Sequence, residues 1–261
     1  MLSKNIISKQ QHGFIRKHST NTNLLESTRD WVVGLGCAKN VDVVYIDFSK
    51  AFDSIVFSKL LFKLQNCGIS GRLLSWLSSF IHGRSQCVVL ENCFSTSSFV
   101  ISGVPQGSVL GPILFLVFIN DVESISCGET TVKLFADDLK LYSVYNSTDN
   151  SADLQQSIDN LVKWSNVWQL QINMNKCQVL SIHTKFNLNT SNNYSLNGFV
   201  LSSVAIANDL GVHVDSNLTF KQHIASIITK ARQRAGVFFV GSFRDPMTLF
   251  VKHSSLTFVP C

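Results

Sequence analysis

The sequence has few charged residues and no long apolar run. Only 15% of its 261 residues are charged, whereas 45% are hydrophobic, a balance typical of a packed globule rather than a disordered chain. The longest uncharged apolar stretch, Val109–Ile119, is too short for a bilayer, which takes about 20 residues, so it predicts a buried helix. The polar residues after Met1 lack the apolar segment of a signal peptide. We expect no membrane partner.

The cysteines also exclude two classes of site. They number seven and form no Cys-x-x-Cys pair, so their spacing favours neither a disulfide framework nor a zinc site. Reduced thiols fit an intracellular protein, in the nucleus or the cytoplasm. The net charge of +5 permits a nucleic-acid partner without requiring one. The length fits one or two domains.

Apolar and polar residues alternate on both sides of the acidic pair Asp137-Asp138, within Thr130–Tyr145. This period of two predicts two strands joined by a tight turn, with the carboxylates at its tip. Adjacent carboxylates repel each other unless solvent or a cation separates them, and Mg²⁺ prefers such oxygen ligands. For an isolated Asp-Asp pair, a solvated turn is the ordinary alternative.

A third carboxylate, Asp47, ends the predicted strand Val41–Phe48. The alternation of the strand places Asp47 on one face with Val41, Val43 and Tyr45, and the other face carries Val44, Ile46 and Phe48. If this strand lies beside the acidic hairpin, three carboxylates converge on a site for two metal ions. Two such ions can activate an attacking hydroxyl and stabilise a leaving pyrophosphate. Taken alone, Asp47 also fits a capping residue at a strand end.

Three blocks in this order carry a family resemblance: YIDFSKAFD at 45–53, SGVPQGSVLGPILF at 102–115 and LFADD at 134–138. They resemble the palm motifs of reverse transcriptases from non-LTR (LINE-type, jockey/CR1-like) retrotransposons, and the resemblance covers nearly the whole chain. It implies an α+β fold, a right-hand polymerase palm whose antiparallel sheet packs on helices, with partial fingers and a partial thumb. It assigns residues 1–40 to partial fingers, 41–215 to the palm with inserted fingers elements and a primer-grip region, and 216–261 to a truncated thumb.

The resemblance also implies an activity. An RNA-directed DNA polymerase of this class adds deoxynucleotides to a primer 3′-hydroxyl by two-metal phosphoryl transfer. The partners would be an RNA template, a DNA primer and deoxynucleoside triphosphates, and the cofactor two Mg²⁺ ions, with Mn²⁺ as a substitute. An endonuclease would lie outside this chain. Two alternatives stay open: an inactive retrotransposon remnant that folds and binds nucleic acid, and another two-metal phosphotransferase such as a nuclease, which needs neither GVPQGS nor Phe52.

The same resemblance assigns roles by position. Asp47, Asp137 and Asp138 would be the catalytic carboxylates and, with the carbonyl of Phe48, the metal ligands. The nucleotide would contact Arg16, Lys50, Ala51, Phe52, Gln106 and Lys176. Template and primer would contact Arg84, Gly103, Pro105, Gly107, Leu210, Gly211, Lys230 and Arg234. The usual family form has Arg directly after Gly-Phe, where this chain has Ile15, so Arg16 or Lys17 would take the phosphate role.

One aromatic ring is expected to set sugar specificity. Phe52 lies five places after Asp47, and a ring there would crowd a ribose 2′-hydroxyl and so favour deoxynucleotides. RNA-dependent RNA polymerases usually carry a carboxylate at this place, and the next acid here, Asp53, comes one residue later.

Periodicity and capping signals predict the remaining elements. Helices are expected at Leu24–Val33, at Ile55–Asn66 with Asp53 as its cap, at Arg72–His82, from about Ser108 to Asp121, at Asp153–Leu170 and at Phe220–Phe239. Strands are expected at Gln86–Glu91, Ser98–Ser102 and Cys177–His183, and Asn197-Gly198 predicts a type I′ turn. The stripe of Leu73, Trp76, Leu77 and Phe80 is expected in the core.

Overall fold

The computed structural model describes residues 6–91, 93–146, 152–183, 192–241 and 257–260. The helices are α1 Thr20–Gly36, α2 Phe57–Asn66, α3 Gly71–Ile81, α4 Leu110–Ile119, α5 Ala152–Trp168 and α6 Lys221–Gly241, and short 3₁₀ helices cover Asn120–Ile125 and Met174–Lys176. The strands are β1 Asn40–Ile46, β2 Ser85–Leu90, β3 Cys93–Phe94, β4 Ser98–Phe99, β5 Thr131–Phe135, β6 Asp138–Tyr145, β7 Gln178–Ile182, β8 Ser195–Leu196, β9 Phe199–Val200, β10 Ser202–Ser203, β11 Ile206–Asp209, β12 Val212–Asp215 and β13 Thr257–Pro260. The chain is therefore α+β, as predicted.

A five-stranded sheet in the order β10-β7-β1-β6-β5 forms the centre of the fold. The pairs that β1 makes with β6 and β7, and β5 with β6, are antiparallel, and β10 runs parallel to β7. Because side chains alternate along a strand, β1 supplies both faces of the sheet. One face, with Val44 and Ile46, packs on α2 to α5, and the other, with Val41 and Val43, packs on α1 and the β11–β12 hairpin.

Smaller sheets flank this centre. Strand β2 pairs with β3, β4 and β13, and β8 pairs with β9. At the β8–β9 turn, Asn197 and Gly198 have φ values of 53° and 80°, as a type I′ turn requires, which confirms that prediction. No helix within the described ranges is long and apolar enough to cross a membrane.

Helix α1 is longer than predicted at both ends. The side chain of Ser19 accepts a hydrogen bond from the Thr22 N–H, and Thr22 Oγ1 accepts one from the Ser19 N–H. This capping box starts the helix at Thr20. The sequence predicts an end near Gly34 and Gly36, and the helix does end at Gly36, three residues after the predicted range. A Cβ on Gly34 would lie 2.4 Å from Val144 of β6. Gly34 therefore permits close packing of helix on sheet rather than ending the helix.

The predicted cap on α2 is also wrong. The helix begins at Phe57, two residues after the predicted start at Ile55, and no side chain caps it. The carboxylate of Asp53 accepts a hydrogen bond from Gln106 instead. A side chain four residues before the helix is beyond the reach of an N-cap bond, which normally spans two or three residues.

Apolar residues of three helices, α3, α4 and α6, lie partly in solvent. On α3 only Leu77 of the stripe is buried, while Leu73 is half exposed, as is Trp76, which stacks on Phe80. On α4 the apolar run is buried as predicted from Leu114 onward, although its first residue is exposed. The isoleucines of α6 are about half exposed as well, namely Ile224, Ile227 and Ile228. Helical periodicity therefore identified these helices but not which of their faces the fold covers.

Candidate active site

The strand register brings three carboxylates to one end of the central sheet. Ile46, the last residue of β1, pairs with Leu139 of β6, so Asp47 and Asp138 occupy the next positions across the two strands. Strands β5 and β6 form the predicted hairpin, in which Phe135 pairs with Asp138 and a two-residue turn contains Asp137. We call Asp47, Asp137 and Asp138 the carboxylate cluster.

The members of this cluster repel one another. Burial raises the pKa of Asp137, and the charge of Asp47 raises it further. Burial raises the pKa of Asp138 to about 6, with further increases from Asp137, Asp209 and Asp47 and an opposing effect of Lys140. Asp137 and Asp138 thus ionise less readily, chiefly because they are partly buried and further because neighbouring carboxylates are charged. The site therefore favours a compensating positive charge.

A solvent-exposed lysine lies beside the cluster. The ammonium of Lys176, at the end of a 3₁₀ helix, is 3.6 Å from the carboxylate of Asp47, and the two side chains are 67% and 38% exposed. Solvent screens an ion pair of this kind strongly. Lys176 therefore leaves most of the negative charge of the cluster uncompensated.

The backbone after β1 directs a carbonyl toward the same end of the sheet. The Asp47 carbonyl accepts a hydrogen bond from the Asn173 N–H, and the Ser49 N–H donates to the Gln171 carbonyl, each at 2.8 Å. Successive carbonyls of an extended chain point to opposite sides, so the Phe48 carbonyl points away from residues 171–173. That direction is the β6 side of β1, where Asp137 and Asp138 lie.

The chemistry of these ligands fits a hard divalent cation. Carboxylate and carbonyl oxygens are the donors that Mg²⁺ prefers, and the repulsion within the cluster would be relieved by bound positive charge. In the described part of the chain, no three His, Cys, Asp or Glu side chains are already arranged as a metal site. The carboxylates are thus close enough to affect one another without forming a closed coordination shell.

A polar cleft of about 120 Å³ opens beside the cluster. Four of the residues assigned roles from the sequence line it, namely Asp47, Asp138, Lys176 and Leu210. Leu210 and Gly211 form the two-residue turn between β11 and β12, with φ values of 48° and 88°. The β11–β12 hairpin therefore forms one wall of the cleft, opposite the carboxylates.

A buried ion pair fixes that hairpin to the sheet. Lys140 of β6 lies 2.6 Å from Asp209 of β11, and their side chains are 4% and 3% exposed. The Tyr45 hydroxyl donates to the same carboxylate oxygen at 3.3 Å. Within the β5–β6 hairpin, Lys133 of β5 lies opposite Lys140 of β6. The ammonium of Lys133 forms its own ion pair with the Glu26 carboxylate of α1, at 2.6 Å.

This network was not predicted from the sequence, although β5 and β6 each contain a signal for it. Each carries a lysine inside an otherwise apolar strand, and a buried lysine requires a partner. The identity of the partner was not readable, because Asp209 follows 69 positions after Lys140.

The ring of Phe52 lies in an aromatic stack. It packs on Phe115 of α4 with ring centroids 4.1 Å apart and planes inclined by 16°. Phe14 meets it edge to face at 6.3 Å. Phe14 was not singled out from the sequence, and its φ of 55° marks a backbone conformation that is unusual for a residue other than Gly.

The loop of residues 102–108, SGVPQGS, contacts the turn that carries Phe52. We call it the glycine-rich loop. The Val104 N–H donates to the Phe52 carbonyl at 2.8 Å, and Gln106 Nε2 donates to Asp53 Oδ1 at 2.7 Å. Gly103 has a φ of 84°, and a Cβ there would lie 2.7 Å from Asp53 backbone atoms. Only glycine fits so close an approach.

The other predicted contacts are dispersed. Within the described residues, the N–H groups of Lys50, Ala51 and Phe52 donate to no protein acceptor. Arg16 is exposed, and Arg84 donates to the Ile81 carbonyl at 3.4 Å. Lys230 and Arg234 are exposed on α6, and Pro105 and Gly107 flank Gln106 in the loop. None of these side chains has a described contact with the carboxylate cluster.

Comparison with known proteins supplies a family. Residues 1–214 match the family described as reverse transcriptase (RNA-dependent DNA polymerase). The chain is 30% identical over 235 residues to the RNA-directed DNA polymerase from mobile element jockey of Drosophila funebris, covering 87% of this chain and 25% of that protein. It is 28% identical over 245 residues to a probable RNA-directed DNA polymerase from transposon BS of Drosophila melanogaster, covering 90% and 26%.

The fold has structural relatives as well. Apo telomerase from Candida tropicalis is similar with a TM-score of 0.51 and 10% identity, over 84% of this chain and 37% of that one. At this identity the similarity concerns the fold alone. The chain spans about a quarter of the length of the curated relatives it matches.

Proposed function

This chain belongs to the reverse transcriptase family, in its non-LTR (LINE-type) class, and from that premise we propose that it forms the catalytic core of an RNA-directed DNA polymerase. The substrates are deoxynucleoside triphosphates and a DNA primer 3′-hydroxyl, and an RNA template directs their joining. In this proposal the central sheet belongs to the palm (residues 41–215), residues 1–40 to the fingers and residues 216–261 to the thumb.

One observation carries this proposal: the strand register brings Asp47, Asp137 and Asp138 to one end of the sheet. Burial raises the pKa values of Asp137 and Asp138 there, and the charge of Asp47 raises both further. Three carboxylates with little positive charge at one end of a sheet lower the stability of the fold, so stability does not explain why they are there. They are useful where cations and a polyanionic substrate assemble.

The carboxylates and the Phe48 carbonyl would hold two Mg²⁺ ions, which when bound supply Lewis-acid chemistry for attack by the primer hydroxyl and departure of pyrophosphate. The protein performs the positioning. Asp47 and Asp137 would hold both ions, and Asp138 would support the one at the primer terminus. Lys176, 3.6 Å from Asp47, would donate a proton to the departing pyrophosphate.

The nucleotide would lie between the carboxylate cluster and the Phe52 turn. The N–H groups of Lys50, Ala51 and Phe52, which have no protein acceptor in the described ranges, would donate to the triphosphate. Phe52 is held by Phe115 on one ring face, so its ring cannot easily turn away from a 2′-hydroxyl. Gln106, anchored to Asp53, would lie under the template base. The Leu210-Gly211 turn would contact the primer strand.

The test is primer extension on an RNA template with Mg²⁺. We expect the wild-type chain to extend a DNA primer and Asp47→Asn to abolish extension, because a neutral amide cannot hold a cation as a carboxylate does. Asp159→Asn is a matched control, since Asp159 is exposed on α5. Binding of the RNA–DNA duplex is measured in parallel.

The outcomes separate the candidate functions. A wild-type chain that binds the duplex but adds no nucleotide would support the inactive remnant instead. Equal extension by wild type and Asp47→Asn would remove the assigned role of the cluster.

A further inference from the structure

The turn that carries Asp137 has an unfavourable backbone conformation. Ala136, its first residue, is buried and has a φ of 55°. A positive φ at this place is typical of a type II′ hairpin turn, in which glycine normally stands. A residue with a Cβ is disfavoured there, because its Cβ comes too close to the following carbonyl oxygen. Such a conformation persists only where its surroundings hold it in place.

Gln11 holds Ala136 by both of its backbone polar groups. Gln11 Oε1 accepts a hydrogen bond from the Ala136 N–H at 2.8 Å, and Nε2 lies 3.4 Å from the Ala136 carbonyl and donates to it. The same Oε1 accepts from the Gly13 N–H at 2.7 Å, which fixes the amide relative to its own segment. Gln11 is 2% exposed, so water does not substitute for these bonds.

The backbone around Gln11 is held just as closely. The Leu134 N–H donates to the Gln10 carbonyl at 3.0 Å, and the His12 N–H donates to the Leu134 carbonyl at 2.9 Å. A Cβ on Gly13 would lie 2.3 Å from the Ala136 nitrogen. The N-terminal segment therefore lies directly against the turn, and the Gln11 side chain is its polar contact with Ala136.

We propose that Gln11 is a positioning residue, which fixes the Ala136 turn and thereby the direction of the Asp137 carboxylate. This inference rests on the proposed function. Gln11 contacts no reacting atom. It acts because Asp137 is bonded to Ala136, so any relaxation of the strained residue moves the carboxylate away from Asp47 and Asp138.

The chain contains a matched control for removing this clamp. Gln155 of α5 bridges Ser195 in the same way, donating to its carbonyl and accepting from its N–H, each at 2.9 Å. Ser195 belongs to the β8–β9 hairpin and to no part of the site. Gln11→Leu and Gln155→Leu therefore remove equivalent amide-to-backbone bonds, but only the first lies at the catalytic turn.

We compare the two variants in three measurements. For Gln11→Leu we expect the extension rate at saturating nucleotide to fall about 10- to 100-fold, the range typical of residues that orient metal ligands. The nucleotide KM should change little, and half-maximal Mg²⁺ should rise. Amide hydrogen exchange in residues 132–139 should accelerate. Gln155→Leu should show none of these changes, and it should lose less thermal stability because Gln155 is only half-buried.

A second variant covers the case in which Gln11→Leu does not fold. Gln11→Glu retains oxygens that accept from Ala136 and Gly13, so exchange protection at the turn should lie between wild type and Gln11→Leu. Wild-type exchange rates at residues 132–139 in Gln11→Leu, or the same loss of extension in Gln155→Leu, would overturn the inference. Hydrogen exchange needs no catalysis, so it decides the positioning role even if the wild-type chain extends no primer.

Discussion

Two charged side chains, Asp138 and Lys140, lie two residues apart on strand β6 and have opposite surroundings. Lys140 is buried and compensated by Asp209 at 2.6 Å, with a hydrogen bond from Tyr45 to the same carboxylate. Among the described residues Asp138 has no ion pair, and the charges of Asp137, Asp209 and Asp47, which have the same sign as its own, outweigh the opposing effect of Lys140. Because Asp138 and Lys140 point to the same face, their difference arises from their partners.

This difference separates structural from functional charge. A buried pair whose members satisfy each other holds two elements together, here the β11–β12 hairpin and the sheet. A cluster of like charges weakens the fold, and is retained where a ligand provides the missing charge. The predictions below test whether each group behaves in its assigned way.

The largest expected effect is on catalysis by the carboxylate cluster. Asp137→Asn should lower primer extension by about 10³-fold or more, since lost stabilisation of transferring phosphate oxygens is worth several kcal/mol. The free energy of unfolding should stay equal or rise, because one repelling charge is gone. Extension rates and urea denaturation of the same preparation measure both quantities. A variant that is both inactive and strongly destabilised would contradict the separation of structural from functional charge.

The next effect is on stability, at the compensated pair. Lys140→Met leaves the buried Asp209 carboxylate without its counter-charge, with the Tyr45 hydroxyl still donating to it, and removing one member of a buried pair typically costs about 3–5 kcal/mol. Urea denaturation measures this loss. The double variant Lys140→Met/Asp209→Asn should recover most of it, because no buried charge then lacks a partner. If the double variant is as unstable as the single one, the loss comes from packing.

The sequence predicted those features that depend on local pattern. Alternation in β1, β5 and β6 predicted both faces of the sheet and the acidic hairpin. The order of the motifs predicted that Asp47 lies near Asp137 and Asp138. Nothing local indicated that Gln11 reaches Ala136, because the hydrogen bond spans 125 positions. The helix errors have the same origin: whether Trp76 is buried depends on which neighbour covers α3.

A smaller effect concerns the pH dependence of stability. The pKa of Asp138 is about 6 in the folded chain and 3.8 ordinarily, so the folded state binds protons more tightly. Wild-type stability should therefore fall as the pH rises from about 4 through 6. Asp138→Asn lacks this loss and should be more stable than wild type above pH 7 by about 1 kcal/mol, a value reduced because solvent screens the group.

Denaturation at pH 4.5 and pH 8 without divalent cations checks this, with Asp159→Asn as a control for an exposed carboxylate. A stability gain of equal size at both pH values would show that repulsion is not its source. Added Mg²⁺ should reduce the gain at pH 8, because the wild-type cluster then has its missing charge.

The smallest effect is expected at Lys176, which decides whether the chain itself neutralises the cluster. Its contact with Asp47 is 3.6 Å long and both side chains reach solvent, so Lys176→Gln should change the free energy of unfolding by less than about 0.5 kcal/mol. The same denaturation series that includes Lys140→Met measures it. Should Lys176→Gln destabilise the chain as much as Lys140→Met does, Lys176 would be a structural counter-charge, and the cluster would need no external cation. A small change in stability with a marked loss of extension would place Lys176 at the phosphates instead, where a mobile, solvated cation is of more use than a buried one.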